Sequence, residues 1–442
     1  FQVTSQLGSE ASAGGSNTQV QYNSSGSLAG DADLTFDGTN LTVANPIYLP
    51  DGAVATPSVT NTGDLNTGIY FPAADQLGVV VGGEEKVRFG STPFTGHNML
   101  INGDMKIAQR GTQTDQGAAT VAAAIDMWKL MRAVDGGARV TTSRDTSVVA
   151  GGFDYSLKID CTTADSSVDV NAGLAIAVRV EAQNLQHLRY GNAAALATSL
   201  SFWFRSPKTG IHTVSIFQED ANRSYVREFT IASADTFEFF SVTFPGDASG
   251  TISNDTGPGV SLVFPLAWGS DYNISADAWT GTGGTPSTTS NQQNLLDNTA
   301  NNIYITGVQW EVGEVATAFE HEGYGTTLAK CLRYYERFTA NIADGEFVVG
   351  MCANATAFSG VLHYKVVKRA TPTLSFTAAD TFIIRHATTS TTGSSGPGVS
   401  AGADVYSSGI SLNVASGLTA GQAAIMRKDG SDTAYIEISS EL

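Results

Sequence analysis

Apolar positions along this chain recur mostly at every second residue, in short runs separated by Gly, Asn, Asp and Ser, the pattern of brief β-strands joined by turns. In the stretch 199–205, Leu200, Phe202 and Phe204 fall on one face of a strand and Ser201, Trp203 and Arg205 on the other. Nine such runs, at 138–142, 154–161, 174–180, 198–205, 212–218, 225–231, 237–244, 259–264 and 303–311, fill the region 97–325. They predict an antiparallel jelly roll or β-sandwich. Helical spacing occurs at Leu328, Cys331, Leu332, Tyr335 and Phe338, predicting a short amphipathic connecting helix over 326–338, capped by Thr326 or Thr327. Residues 339–442 return to strands, at 346–351, 360–367, 373–377, 382–386, 410–414, 422–427 and 433–438, and predict a small sandwich-like β tip. The Thr/Ser/Gly-rich interval 387–404 reads as its exposed loop.

The region 1–96 follows a different rule. Its extended runs, 18–22, 34–36, 40–43 and 78–81, are separated by tight-turn signals such as Asp37-Gly38 and Gly82-Gly83, and each is too short to bury a core alone. Burial must then come from copies of the same segment, and a trimer is the smallest assembly giving such a β shaft a closed apolar axis. The fold class expected is therefore all-β: a trimeric shaft, a jelly-roll body, a short helix and a β tip.

Composition sharpens this picture. Gly contributes 47 residues and charged residues only 15%, below the usual level of about 25%. No Lys or Arg precedes Lys86, whereas nine Asp and Glu occur before it. A formal charge of -18 makes nucleic acid and acidic membrane surfaces poor partners, and no apolar run is long enough to span a bilayer. The three cysteines, Cys161, Cys331 and Cys352, form neither a disulfide framework nor a metal knuckle. A start at Phe1 is what a processed product or the remainder of a longer chain would show.

Chemistry is sparse. The six histidines lack metal-ligand spacing, and no nucleophile-elbow, zinc-protease or phosphate-loop motif occurs. A glycan-cleaving site needs two carboxylates roughly 5–9.5 Å apart. Glu320 and Glu322 share a face if extended, with His321 pointing the other way, and Asp169 with Glu181 is the alternative pair. No residue is assigned a catalytic role, and no cofactor is required. Sugar binding needs aromatic faces beside amides and carboxylates. The candidates are Trp203, then Asp271, Tyr272, Asn273, Trp279 and Gln292 in the long loop 268–302, and Phe358, Tyr364, Arg385 and Tyr406 in the tip. For each aromatic the competing role is core or interface filling, the role assigned to Trp128 and Trp310.

The stretch 18–37, with Asn66-Thr-Gly-Ile-Tyr-Phe71 and Glu85-Lys-Val-Arg-Phe89, resembles shaft segments of tailed-bacteriophage tail fibres. Asn98-Met-Leu-Ile-Asn-Gly-Asp104, Gln109-Arg-Gly111, Ile125-Asp-Met-Trp128, Ile305-Thr-Gly-Val-Gln-Trp-Glu-Val-Gly313, Thr317-Ala-Phe-Glu-His321 and Lys330-Cys-Leu-Arg-Tyr-Tyr335 are similar, in that order, to motifs framing the jelly roll of a group of such fibres. Trp310 departs from it, standing where a smaller aliphatic is commoner. The resemblance implies a homotrimeric, extracellular virion fibre, joined to other tail or baseplate proteins and attaching to lipopolysaccharide-like polysaccharide on a bacterial host. An inert structural fibre or connector and a glycan depolymerase are the alternatives. The resemblance also places Asn102, Asp104 and Glu311 near the seam of the first and last strands, where a structural Ca2+ would sit; the competing reading is a plain turn and an edge residue.

Overall fold

A computed structural model describes residues 14–89, 98–283, 285–340, 342–430 and 433–442. The protein is all-β, and its chain divides into two compact units, Phe1–Pro93 and Phe94–Leu442. The expected division at 96/97, with His97, lies outside the described residues. Among the described residues no helix is long and apolar enough to cross a membrane.

The first unit holds two small antiparallel sheets, Gln19–Ser24, Ser27–Phe36 and Leu41–Val43 in one, and Val59–Asn61, Asp64–Tyr70, Leu77–Val81 and Glu84–Phe89 in the other. Gly82 and Gly83 both take positive φ, +63° and +78°, giving the turn whose twist matches the strands it joins. Tyr70 and Val80 are its large buried hydrophobic side chains among the described residues. Tyr22, Leu28, Phe36, Leu41, Ile47, Tyr48, Leu65 and Val81 are all exposed. One copy of this unit leaves most of its apolar surface in water.

The body is a sandwich of two antiparallel sheets. One has seven strands, in the order Thr280–Gly281, Arg223–Ile231, Gly210–Gln218, Pro258–Trp268, Gly173–Glu181, Trp128–Arg132 and Val121–Ala122. The other has six, in the order Glu238–Phe244, Thr198–Arg205, Asn302–Val312, Ser156–Thr163, Arg139–Asp145 and Gln113–Gln116. All nine predicted runs are strands. Leu200, Phe202 and Phe204 enter the core with Trp128 and Trp310, as the alternation requires. Residues 113–116, 121–122 and 128–132 add strands that polar or very short runs had hidden.

The seven-stranded sheet is covered on both faces. Ile176, Val178 and Val180 pack into the core, while Ala175 and Ala177 lie on the outer face with Met131 and Val263, against which Trp268 packs. Residues of the long loop lie on that outer face. Thr288 Oγ1 meets Thr213 Oγ1 at 2.7 Å, Gln292 Oε1 accepts the Thr213 N–H at 2.7 Å, and Asn291 Nδ2 donates to Glu228 at 3.1 Å.

The helix is shorter than expected, Tyr324–Leu332, with Gly323 at its N-cap. Tyr335–Thr339 is instead a strand, pairing Tyr335 with Ser439 and Thr339 with Tyr435. A β-rich segment facing an available partner strand takes the sheet over the helix. The tip is not a sandwich. Strands Glu346–Cys352, Ala357–His363, Ser407–Val414, Thr389–Ala403, Phe382–His386 and Ala423–Lys428 close into a barrel, beside a three-stranded sheet of Tyr335–Thr339, Tyr435–Ser439 and Thr373–Phe376. The expected loop 387–404 is the barrel's longest strand, with three register shifts where Gly and Ser relax the pleat.

Body and tip are bolted together. Glu181, fully buried, accepts hydrogen bonds from the Arg333 guanidinium at 2.7 and 3.1 Å, from Tyr334 Oη at 2.7 Å and from Gln183 Nε2 at 2.5 Å. Arg110 pairs with Glu441 at 2.8 Å and stacks 3.3 Å above the Tyr335 ring. Burial acts to raise the Glu181 carboxyl, but the bonds from Arg333 and Tyr334 outweigh it and hold it below its ordinary value of 4.5. A carboxyl held low contributes stability that is fully present above its unfolded pKa and lost as pH falls through its folded one. The body–tip junction is therefore expected to loosen below pH 4.5, read as protease cleavage near residues 323–340. At neutral pH Arg333→Ala, which strands the buried carboxylate, is expected to cost about 3 kcal/mol in urea unfolding.

Candidate functional site

With one face of the seven-stranded sheet in the core and the other beneath the long loop, the outer face of the six-stranded sheet is where aromatic rings meet solvent. Trp203 faces outward from Thr198–Arg205 because its neighbours Phe202 and Phe204 are core residues. On the adjacent edge strand Phe240 packs against the core, so Phe239 must point out; it is 52% exposed and lies 5.4 Å from Trp203 between ring centroids.

The row continues on the other side of Trp203. The pairing of Thr198–Arg205 with Asn302–Val312 slips between Ser201 and Trp203, which face Gln309 and Thr306, and Gly307 lies in the resulting bulge at φ +59°. A Cβ on Gly307 would sit 2.5 Å from the Phe153 ring and 3.1 Å from Trp203 Cδ1. The glycine therefore lets both rings rest on backbone. Phe153 in turn contacts Phe319 at 5.0 Å and the exposed His321 at 5.4 Å. The result is a row of rings, Phe319–Phe153–Trp203–Phe239, in which Phe153 is buried and supports its neighbours while Trp203 and Phe239 form the part that meets solvent. Arg205 flanks it, lying 5.0 Å over the Tyr304 ring and 3.5 Å from Asp235, and Lys158 with Asp160 supplies further polar groups on the same face. Flat apolar rings bordered by charged and hydroxyl groups suit the C–H faces and hydroxyls of sugars.

Beside the Phe319 end of the ridge is a cleft of about 130 Å3. Asn98, Asp104, Glu320, Glu322 and Lys330 line it with Phe319. Asp104 pairs with Lys106 at 2.6 Å, Glu322 pairs with Lys330, and Glu320 Oε2 accepts the Asn98 N–H at 3.1 Å. The carboxylates Glu320 and Glu322 both line the cleft, and His321 between them packs against Phe153 and Phe319. The alternative pair is not a pair: Asp169 precedes strand Gly173–Glu181 and Glu181 ends it, roughly 30 Å away, where it holds the tip.

Of the other expected binding residues, Trp279 packs against the core, edge-on to Tyr190 and Tyr225, and donates its indole N–H to the Pro245 carbonyl at 2.9 Å. Gln292 fastens the long loop to Thr213 and to the Pro265 carbonyl. Tyr272 leans on Trp268 and donates to the Asn171 carbonyl, with the exposed Asp271 and half-buried Tyr272 in a single turn ended by Asn273. These residues build the loop that covers the sheet. In the tip, Phe358 is wholly buried in the barrel core. Tyr364 is half-buried, its hydroxyl against Ser408. Arg385 and Tyr406 are exposed at opposite ends of strand Thr389–Ala403, so they do not form one site.

The expected calcium seam is filled by hydrogen bonds. The Asn102 carboxamide donates to the carbonyls of Ile107 at 2.9 Å and Asp126 at 3.0 Å and accepts the Ile107 N–H at 3.0 Å. Glu311 accepts from the Thr317 N–H at 2.8 Å, its hydroxyl at 2.7 Å and Gln309 at 3.0 Å. Among the described residues no group of three His, Cys, Asp or Glu side chains could hold a metal ion. Asn102 and Glu311 are turn fasteners.

Gly307→Ala is expected to destabilise the body by about 1–3 kcal/mol, through left-handed backbone strain and the ring clash, and to shift tryptophan fluorescence as Trp203 is displaced; thermal and urea melts read the first effect.

No family model and no curated protein matches the sequence. Solved structures do. A family 11 carbohydrate-binding module from Clostridium thermocellum, solved with a mixed-linked tetrasaccharide, is 14% identical, covering 48% of this chain and 98% of its own at a TM-score of 0.24. A xylan-binding domain from Paenibacillus barcinonensis is 8% identical, covering 51% of this chain and 100% of its own, TM-score 0.23. The enzymatically active domain of a bacteriophage CBA120 tailspike protein is 13% identical, TM-score 0.24, and the match spans 42% of this chain but 19% of that one. At these identities and TM-scores the likenesses assign neither a ligand nor an activity to this chain.

Proposed function

We propose that this chain is a receptor-binding tail fibre of a bacteriophage, a homotrimer that adheres to polysaccharide on the host envelope without cleaving it. The observation that carries the reading is the solvent-facing aromatic ridge through Trp203 and Phe239 on the sandwich. Single stacking sites bind weakly, and three parallel copies raise avidity by about 10²–10⁴. The apolar surface left exposed by one copy of the first unit, from Tyr22 to Val81, gives the reason for association. A non-catalytic role suits Glu322 and Asp104, each held in an ion pair.

Sedimentation of the full chain is expected to give about three times 46.1 kDa; a stable monomer overturns the fibre reading. Phe239→Ala, which removes a half-exposed ring, is expected to leave the melting curve within about 0.5 kcal/mol while weakening adhesion to host cells at least about tenfold. Unchanged adhesion would favour a connector role, and release of soluble oligosaccharide from host glycan that disappears in Glu320→Gln/Glu322→Gln protein would favour a depolymerase.

A further inference from the structure

Between the two sheets of the first unit the chain runs through Asn45-Pro46-Ile47-Tyr48-Leu49-Pro50, outside any strand. Proline fixes its own backbone and drives the residue before it, here Asn45 and Leu49, into an extended conformation. The segment is therefore a stiff, extended arm. Among the described residues no backbone hydrogen bond reaches Ile47, Tyr48 or Leu49. Tyr48 is 93% exposed, and Ile47 and Leu49 on either side of it are exposed as well. A groove follows a few residues on. Strand Asp64–Tyr70 leads into a turn closed by the Gln76 N–H on the Ala73 carbonyl at 3.2 Å and by Arg88 Nη1 on Gln76 Oε1 at 3.2 Å, and strand Leu77–Val81 leaves it with Leu77 opposite Phe89. Phe71, Ala73, Ala74, Leu77 and Phe89 give this open groove of about 730 Å3 its apolar lining, with Asp75 beside them. An arm so exposed does not fill the groove of its own chain. We infer that Ile47-Tyr48-Leu49 of one copy docks in this groove on a second copy of the chain, with Tyr48 as its anchor. The inference rests on the homotrimer of the fibre reading and names the contact that closes it.

Chemistry, stiffness and area commit the groove to this occupant. A tyrosine buries about 150–250 Å2 and needs a partner for its hydroxyl once buried. Asp75 lines the groove, and an ionised carboxylate accepts that proton. The two prolines hold the arm extended before it docks, so little chain entropy is lost when it does. Small side chains at Ala73 and Ala74 leave the room that an incoming ring takes. Area then sets how often the contact is used. Three side chains in one groove bury less than the roughly 1,200 Å2 at which stable pairs of proteins begin, so a single arm does not hold two chains together. Arm and groove are different patches of one chain, and a contact of that kind, repeated about a three-fold axis, closes a ring in which every copy gives an arm and receives one. Reciprocal exchange between two copies would leave the third arm of a trimer without a groove.

The test uses the full chain. Cys161, Cys331 and Cys352 are buried, so introduced thiols report alone. Tyr48→Cys/Ala74→Cys protein treated with copper phenanthroline is expected to run as covalent dimer and trimer on a non-reducing denaturing gel, whereas Tyr48→Cys protein stays a single chain because the arms do not meet one another. A ladder from Tyr48→Cys alone, or none from the double variant, overturns the inference. Tyr48→Ser changes the arm and Ala74→Trp fills the groove, both at exposed positions where folding of the single chain is not at stake. Each is expected to raise the dissociation constant of the assembly at least about tenfold, read by sedimentation on dilution. Assembly unchanged in both overturns the inference. If the unmodified protein sediments as a trimer and the variants behave as it does, the homotrimer stands and the docking falls. A covalent product that stops at the dimer removes the three-fold and keeps the docking as reciprocal exchange. A stable monomer overturns the fibre reading and this inference together.

Discussion

Glu181 cannot be buried and ionised unless donors surround it, and that requirement governs the placement of the C-terminal quarter of the chain. A carboxylate removed from water without partners costs several kcal/mol. The body supplies Gln183, and the remaining donors come from Arg333 and Tyr334, just beyond the helix. Tyr335–Thr339, which follows them directly, is the strand that pairs with Tyr435–Ser439. Fixing two side chains at Glu181 thus sets the base of the tip. Lys129 and Arg179, on the same sheet face, meet Tyr334, Glu441 and Leu442 there.

The consequence for function is indirect but firm. Residues of the tip's base and the long loop together occupy the outer face of the seven-stranded sheet, where Ala175, Ala177, Ser215 and Ser261 are small enough for covering segments to pack closely. A sandwich with one sheet face taken has the other left for a ligand. There Trp203 and Phe239 stand beside small residues such as Ser201 and Ser241, and the Gly307 bulge gives Trp203 a bed. On the proposed reading, the position of the binding surface depends as much on what covers one sheet as on what decorates the other.

Much of the fold was legible because two-residue alternation reports which face of a strand is buried, whether or not its partners are known. That is why Leu200, Phe202 and Phe204 were assigned inward, and Trp203 outward, from the chain alone. The barrel escaped notice because strand Thr389–Ala403 has hardly any large side chain to alternate; its pairing with Ser407–Val414 supplies the order that its composition conceals. The helical spacing runs on through Tyr335 and Phe338, although three residues apart they fall on opposite faces of a strand, and it is the partner strand Tyr435–Ser439 that decides between the two. The site was half legible. The Phe239-Phe240 doublet in a predicted strand already implied one outward ring, whereas Phe153 and Phe319 reach the ridge from loops through contacts that depend on Gly307. Trp279 and Gln292 show the opposite case: in sequence a long polar loop looks like a binding loop, and only the structure shows the sheet surface against which these two side chains pack.

Exposed apolar surface has opposite meanings in the two parts of this chain. On the body it is local, a few rings supported beneath by a full core and flanked by Arg205, Lys158 and Asp160, so the fold stands without a ligand. In the first unit it is general, since Leu28, Phe36, Leu41 and Leu65 are exposed in strands whose large buried hydrophobic side chains, among the described residues, are Tyr70 and Val80. The first kind of surface suits a weak, reversible partner. On the fibre reading the second is covered by association, since strands that short gain little burial alone to offset the ordering of their backbone. On the fibre reading the two are complementary: association that buries the second kind fixes three ridges in one assembly, and it is that multiplicity which makes weak stacking on the first kind sufficient for attachment.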